Sequence, residues 1–303
     1  MFFKKVYLTK IKILDLFKSV IYIQNFYIGD FMKKIILILL TLVNVNLLAM
    51  QNQNNKTISP EEGLATKYEV IRPDFYNIFA TDYALTNPAH IILLEATRIL
   101  SNLKESYYEH TTTVDETNGI YKLDCSGLVG YILRYALNAH FIPIDTAKII
   151  GQTRPLATDF YTFFNICPTI ANPYGWMKIS YLRNALPGDI IAWKYVDETK
   201  DNTGHIVVIS GITAKFTEAI TINNLKYWEY KVRVIDSSKS AHFQDSRDLT
   251  TNLTHEGIGV GDMYFGVNQV GEIKYWKWNS RSDTPQFDYI AIGRAIPIQL
   301  LSK

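Results

Sequence analysis

The sequence predicts an α+β fold with a mainly antiparallel sheet. Helical periodicity dominates before Pro187; beyond it the chain breaks into short β-branched and aromatic runs separated by turn residues. Composition agrees: at 303 residues and 48% apolar, the chain can bury one large or two small cores and lies far from the disordered class. A formal net charge of +2 leaves no electrostatic footprint for a nucleic-acid partner.

The first stretch reads as targeting. "MKKIILILLTLVNVNLLAMQNQ" begins at Met32 with two lysines, runs apolar from Ile35 to Leu48 and meets a small residue, Ala49, before a polar stretch. That is the layout of a secretory signal peptide. The run is shorter than the roughly 20 residues a membrane span needs, so no stable span is expected in the mature chain. We expect residues 1–49 to be a targeting segment, with 1–31 an upstream mis-start or a long basic lead. Residues 50–62 read as a linker and 63–303 as a single domain, exported to the periplasm or secreted. No cysteine follows the apolar run, so a lipid anchor is not expected.

Within the domain, "TNPAHIILLEATRILSNLKESYY" predicts a helix capped by Asn87, with Pro88 in its first turn and Ile91, Leu94, Ile99 and Leu103 as its apolar positions. A second helix follows Cys125, with Leu128, Val129, Ile132 and Ala136 on the side of the thiol. Residues 143–186 read as an irregular helical insertion, broken by "CPTIANPYGW". Strands follow at "DIIAWKY", "HIVVISG", "WEYKVRVID", "EIKYWKW" and "YIAIGRA". "GIGVGDMYFG" has closely spaced glycines without a following helix pattern, so it reads as a hairpin or loop and not a nucleotide site. The aromatic "IKYWKWN" reads as core, with a sugar-stacking surface as the alternative.

The chain has two cysteines, Cys125 and Cys167. In an oxidising compartment they could pair, which would make Cys125 a staple. A thiol in the first turn of a helix instead feels the partial positive charge of unpaired N–H groups, which favours the thiolate. Asp124 would oppose that as a bare charge, so its expected role is to cap the helix. Ser126 and Gly127 keep the space beside the sulfur small, as an approaching substrate or strand requires. A thiol nucleophile needs a base, and of six histidines His205 stands out, after Gly204 at the head of an apolar strand.

"LDCSGLV" at 123–129, "LPGDIIAW" at 186–193 and "GHIVVISG" at 204–211, in that order, resemble the signature of the NlpC/P60 superfamily of papain-like cysteine peptidases. The resemblance implies a Cys helix packed on a five-stranded sheet, and a cysteine peptidase or amidase acting on peptide or peptidoglycan, often cell-wall stem peptides, without a cofactor. By motif, Cys125 is the nucleophile and His205 the base. Asp236, in phase with Val232 and Val234, is the third member, with His242 as its alternative. Tyr108 would line the site and help hold an oxyanion with the N–H of Cys125. His110 stands where the family carries tryptophan, and the interval from Cys125 to His205 is longer than usual.

"DSSKSAHFQDSR" offers His242, Asp245 and Arg247 as a substrate clamp at the cleft edge, or else a solvated loop. Cys167 reads as a free, at least partly buried thiol, and no metal-ligand spacing is present in the sequence. Three classes stay open: a thiol hydrolase or a related acyltransferase or amidase, a non-catalytic module of the same fold, and a protein stapled by a disulfide between Cys125 and Cys167.

Overall fold

A computed structural model describes residues 68–69, 87–170, 174–197, 202–249 and 255–298; the expected targeting segment 1–49 and linker 50–62 lie outside the described residues. Among the described residues no helix is long and apolar enough to cross a membrane.

Helix α1 (Pro88–Asn102) starts as its sequence dictates, with Pro88 in the first turn and the Asn87 side chain accepting from the Ala89 N–H at 3.1 Å. Its inward face is Ile92, Ala96 and Ile99, whereas Leu94 is exposed, so the face expected from Ile91 and Leu94 is turned. The cause lies at the helix start: the Ala89 carbonyl packs directly on the backbone at Gly188, which fixes the helix's rotation. The helix also ends earlier than its periodicity suggests. Lys104 and Glu105 both donate to the Gly119 carbonyl, which draws the chain into a small sheet.

That sheet contains β2 (Glu105–Tyr107), β3 (Thr113–Asp115) and β4 (Ile120–Lys122), in the order β2-β4-β3. It delivers the chain to α2 (Cys125–Ala136), followed by α3 (Asn138–Ala147) and α4 (Ala157–Ile166). The main sheet uses β5 (Trp176–Lys178), β6 (Ile190–Lys194), β7 (Gly204–Phe216), β9 (Leu225–Ser238), β10 (Gly257–Val267), β11 (Ile273–Lys277) and β12 (Tyr289–Ala295). Their order is β11-β10-β9-β7-β6-β12-β5, antiparallel at every step. Off this path, β1 (Tyr68–Glu69) pairs with β7 and β8 (Ile220–Ile222) with β9.

The α+β class and the antiparallel sheet therefore stand, but the expected five strands are too few. One addition is β10, read from sequence as a hairpin or loop because glycine is a poor strand former. Another is β5, which comes from the stretch expected to be a helical insertion. That stretch is part of the fold: Phe160 and Phe164 of α4 are fully buried, and Phe164 lies 5.1 Å from the ring of Trp176 on β5.

The sheet is buried on both faces. Ile190, Ala192, Ile206, Val208, Ile235 and Ala291 point into a core shared with the helices. The alternating residues Ile191, Trp193, Val207, Ile209, Val232 and Val234 meet Met263, Phe265 and Trp276 in a second core. Two buried faces explain why these strands read as unbroken apolar runs.

"LPGD" is a turn that locks this sheet to α1. The Asp189 carboxylate accepts from the Leu186 N–H at 2.8 Å and receives Arg294 from β12 through Nε and Nη2, each at 2.8 Å. Gly188 sits at φ 91°, and an added Cβ would overlap the Ala89 carbonyl. Arg294→Ala should lower stability by about 3 kcal/mol, because it strands a fully buried carboxylate, and urea unfolding reads the loss.

Candidate active site

Cys125 opens α2, and Asp124 is the N-cap: its Oδ1 accepts from the Gly127 N–H at 2.7 Å and from Ser126 Oγ at 3.1 Å. Its Oδ2 receives Arg154 Nη2 at 2.6 Å and faces His110 Nδ1 at 3.1 Å. The cap charge is thereby answered by a guanidinium and does not stand bare against the thiol. Arg154 comes from the loop between α3 and α4 and carried no signal in the sequence. It also donates to Ser126 Oγ at 2.7 Å, and Thr112 Oγ1 lies 2.7 Å from where a Cβ on Gly127 would sit. Thr112 and Arg154 thus crowd the chain beside Ser126 and Gly127. Both cysteines are free, Cys125 buried and Cys167 partly so, which corrects the staple reading.

His205 lies at the start of β7, and Asp236 near the end of β9, its antiparallel neighbour. The Nε2 of His205 is 2.7 Å from Asp236 Oδ2. Cys125 also acts on this imidazole, its charge favouring the protonated ring, and Nδ1 is the ring nitrogen not taken by Asp236. Burial by itself would lower the pKa of His205. The charge of Cys125 and the bond to Asp236 outweigh it and lift the value to about 9. The ring lies between Trp193 and Trp278, at centroid distances of 5.1 and 5.2 Å. A further bond sets the spacing of β9 and the Cys helix: Ser237 Oγ donates to the Leu123 carbonyl at 2.7 Å, just before Cys125.

Asp236 is fully buried and has further partners. His242 Nε2 is 3.0 Å from its Oδ2, and Arg247 Nη2 donates to its Oδ1 at 2.8 Å. Burial pushes the Asp236 carboxyl up, but its electrostatic interactions with His242 and Arg247 and the bonds from both histidines hold it well below the usual range. Arg247 also grips Asp245 through Nε at 2.9 Å and Nη2 at 2.6 Å, and bonds to Ser238 Oγ and the Gly257 carbonyl.

This corrects the expectation for the "AHFQDSR" cluster. His242, Asp245 and Arg247 are neither a clamp at a cleft edge nor a solvated loop; they are buried against Asp236. His205 bonds Asp236, and His242 bonds Asp236 in turn. The donor atoms of His205, Asp236 and His242 lie within 4.8 Å of one another, a grouping that a metal ion could occupy. Here Arg247 already supplies positive charge to the same carboxylate, and both imidazole contacts have hydrogen-bond lengths.

The glycines of β10 make room for this cluster. A Cβ on Gly261 would lie 2.5 Å from Asp245 Oδ2 and 2.8 Å from His242 Cβ, and one on Gly259 would overlap Arg247 Nε. Glycine at every second position of a strand clears one face. That spacing was the signal in "GIGVGDMYFG".

Tyr108 and Tyr195 are half-buried near the thiol. Burial, then the charges of Cys125 and Asp124, raise the pKa of Tyr108, so its hydroxyl keeps its proton. Burial followed by the Cys125 charge pushes Tyr195 up to about 12. Tyr195 was not singled out in the sequence. His110 is exposed and stands edge-on to Tyr108 at 5.7 Å. A hollow of about 220 Å³ flanks the first turns of α2, lined by Ser126, Gly127, Gly130, Phe141, Arg134 and Arg154. Another, about 260 Å³, between β5, β11 and β12 contains none of these site residues.

Comparison with known protein families, curated proteins and solved structures gives no match to this chain.

Gly261→Ala should drive a methyl group into Asp245, costing about 2 kcal/mol and slowing alkylation of Cys125. Gly211→Ala, on β7 with nothing within 4 Å of the added methyl, should stay within about 1 kcal/mol of wild type and keep the thiol's reactivity. Urea unfolding and iodoacetamide labelling of the two variants side by side check both.

Proposed function

We propose that the protein is an exported thiol hydrolase of the NlpC/P60 type that cleaves amide bonds in peptidoglycan stem peptides. The observation that carries the chemistry is a single imidazole, His205, which bonds the buried Asp236 at 2.7 Å and pairs with Cys125 at a helix start. The choice of substrate is supported by the motifs at 123–129, 186–193 and 204–211 together with the targeting segment.

In this reading the Cys125 thiolate attacks the amide carbonyl and forms a tetrahedral intermediate. Its oxyanion is met by the N–H of Cys125 and by the Tyr108 hydroxyl, which keeps its proton. The His205 imidazolium gives its proton to the leaving amine, and the C–N bond breaks to leave a thioester. Neutral His205 then takes a proton from water, hydroxide attacks the thioester, and the acid leaves as the proton returns to the Cys–His pair. Asp236 keeps Nε2 of the ring occupied, so that Nδ1 works on the thiol side.

The sign of the pH dependence follows from His205. Its folded value of about 9 lies above the ordinary 6.5, so the stabilisation from the pair is complete below 6.5 and lost as pH rises through 9. The proton needed by the leaving amine disappears over the same range. Hydrolysis should therefore show an alkaline edge near pH 9, and His205→Ala should lower kcat/KM about a thousandfold.

Limiting iodoacetamide, followed by peptide mapping, tests the nucleophile. Cys167 is the internal reference, because burial pushes its thiol up to about 11. Cys125 should label well ahead of Cys167 at pH 7 in wild type and lose that lead in His205→Ala. Labelling of Cys125 no faster than Cys167 in wild type, or no release of free amines from stem peptides, overturns the reading.

A further inference from the structure

The third group of the triad is itself shared. Asp236 Oδ2 faces two imidazoles, His205 Nε2 at 2.7 Å and His242 Nε2 at 3.0 Å. His242 is buried, and its other nitrogen, Nδ1, is 3.2 Å from the Trp278 carbonyl. A carbonyl and an ionised carboxylate only accept, so each nitrogen of His242 must donate, and a ring that donates from both carries a positive charge. The indole of Trp278 lies against the imidazole, with centroids 4.2 Å apart, and an aromatic face favours a cation.

Charge balance agrees. Around His242 stand Asp236 and His205 from the sheet, and Asp245 and Arg247 from the turn that follows β9; β10 presents Gly261 there. Asp236 and Asp245 contribute two negative charges, and Arg247 one positive. A cationic His242 makes the set neutral, leaving the Cys125 and His205 pair to balance itself. A neutral His242 would leave one uncompensated negative charge beside the base, and one of its two acceptors without a donor.

We propose that His242 is a positioning residue: a buried imidazolium that shares Asp236 with His205, holds that carboxylate ionised and in place, and sets the charge that the base experiences. In its catalytic meaning this rests on the hydrolase reading above; in its charge and bonding it does not.

The test uses the protein labelled with 15N-histidine, without substrate. At pH 7 the wild-type spectrum should contain a ring, assigned to His242 by its loss in His242→Gln, with hydrogen on both nitrogens. A single-protonated His242 overturns the proposal; the protonation is read in the wild-type protein, and the variant serves only to assign the signal. In His242→Gln, which keeps an N–H donor for Asp236 but drops the charge, the His205 titration should move upward by about one pH unit. An unmoved His205 midpoint in a variant whose amide spectrum is native also overturns it. Because neither readout involves hydrolysis, an inert Cys125 would sink the hydrolase reading alone, and a neutral His242 would sink this one alone.

Discussion

One carboxylate, fully buried at the end of a central strand, governs how this half of the molecule is put together. An isolated charge in such a place is untenable, and a protonated Asp236 could not hold the tautomer of His205. The chain therefore brings hydrogen-bonding groups to it from three places. Arg247 reaches it from the short helix after β9, His242 from the turn before that helix, and His205 from the neighbouring strand. Arg247 in turn needs Asp245, and the pair needs space, which the strand beyond provides by carrying glycine at 259 and 261. Removing any one layer would leave a buried charge or a void for the next.

The Cys helix is held to this arrangement by ties independent of the charges. Ser237, adjacent to Asp236, bonds the carbonyl two residues before Cys125, so nucleophile and third group are separated by one short hydrogen-bonded link. On the opposite side of the sheet path, the turn at 186–189 anchors α1 and β12 through Asp189 and Arg294. Both devices use side chains near the ends of paired strands to fix the segments that lead into them.

What the sequence made legible follows from how local each signal is. The cap at Asn87, the cap at Asp124, the thiol at a helix start, and the strands at β6, β7, β9, β11 and β12 depend on neighbours a few residues away, and their patterns were readable. Asp236 was readable because it keeps the period of Val232 and Val234. The roles of Arg154 and Arg247 were not, since each is decided by a carboxylate distant in the chain or by the depth of a loop. The clamp reading of His242, Asp245 and Arg247 failed for that reason: polar residues after a strand look solvated until the strand that covers them is known. That strand, β10, was itself hidden, because the glycines that let it cover the cluster are the residues that make it look like a loop.

The same reasoning bounds how a substrate could reach Cys125. On the Gly127 side Thr112 and Arg154 line a hollow against the helix, and Arg154 is fixed by Asp124, whose charge it answers. His205 occupies the side of the sheet, with Trp193 and Trp278 against its ring. Near the thiol stand two half-buried tyrosines, Tyr108 from the loop between β2 and β3 and Tyr195 just past the end of β6. A molecule that reached the sulfur would meet hydroxyl groups in a half-buried setting, which strengthens each hydrogen bond made there.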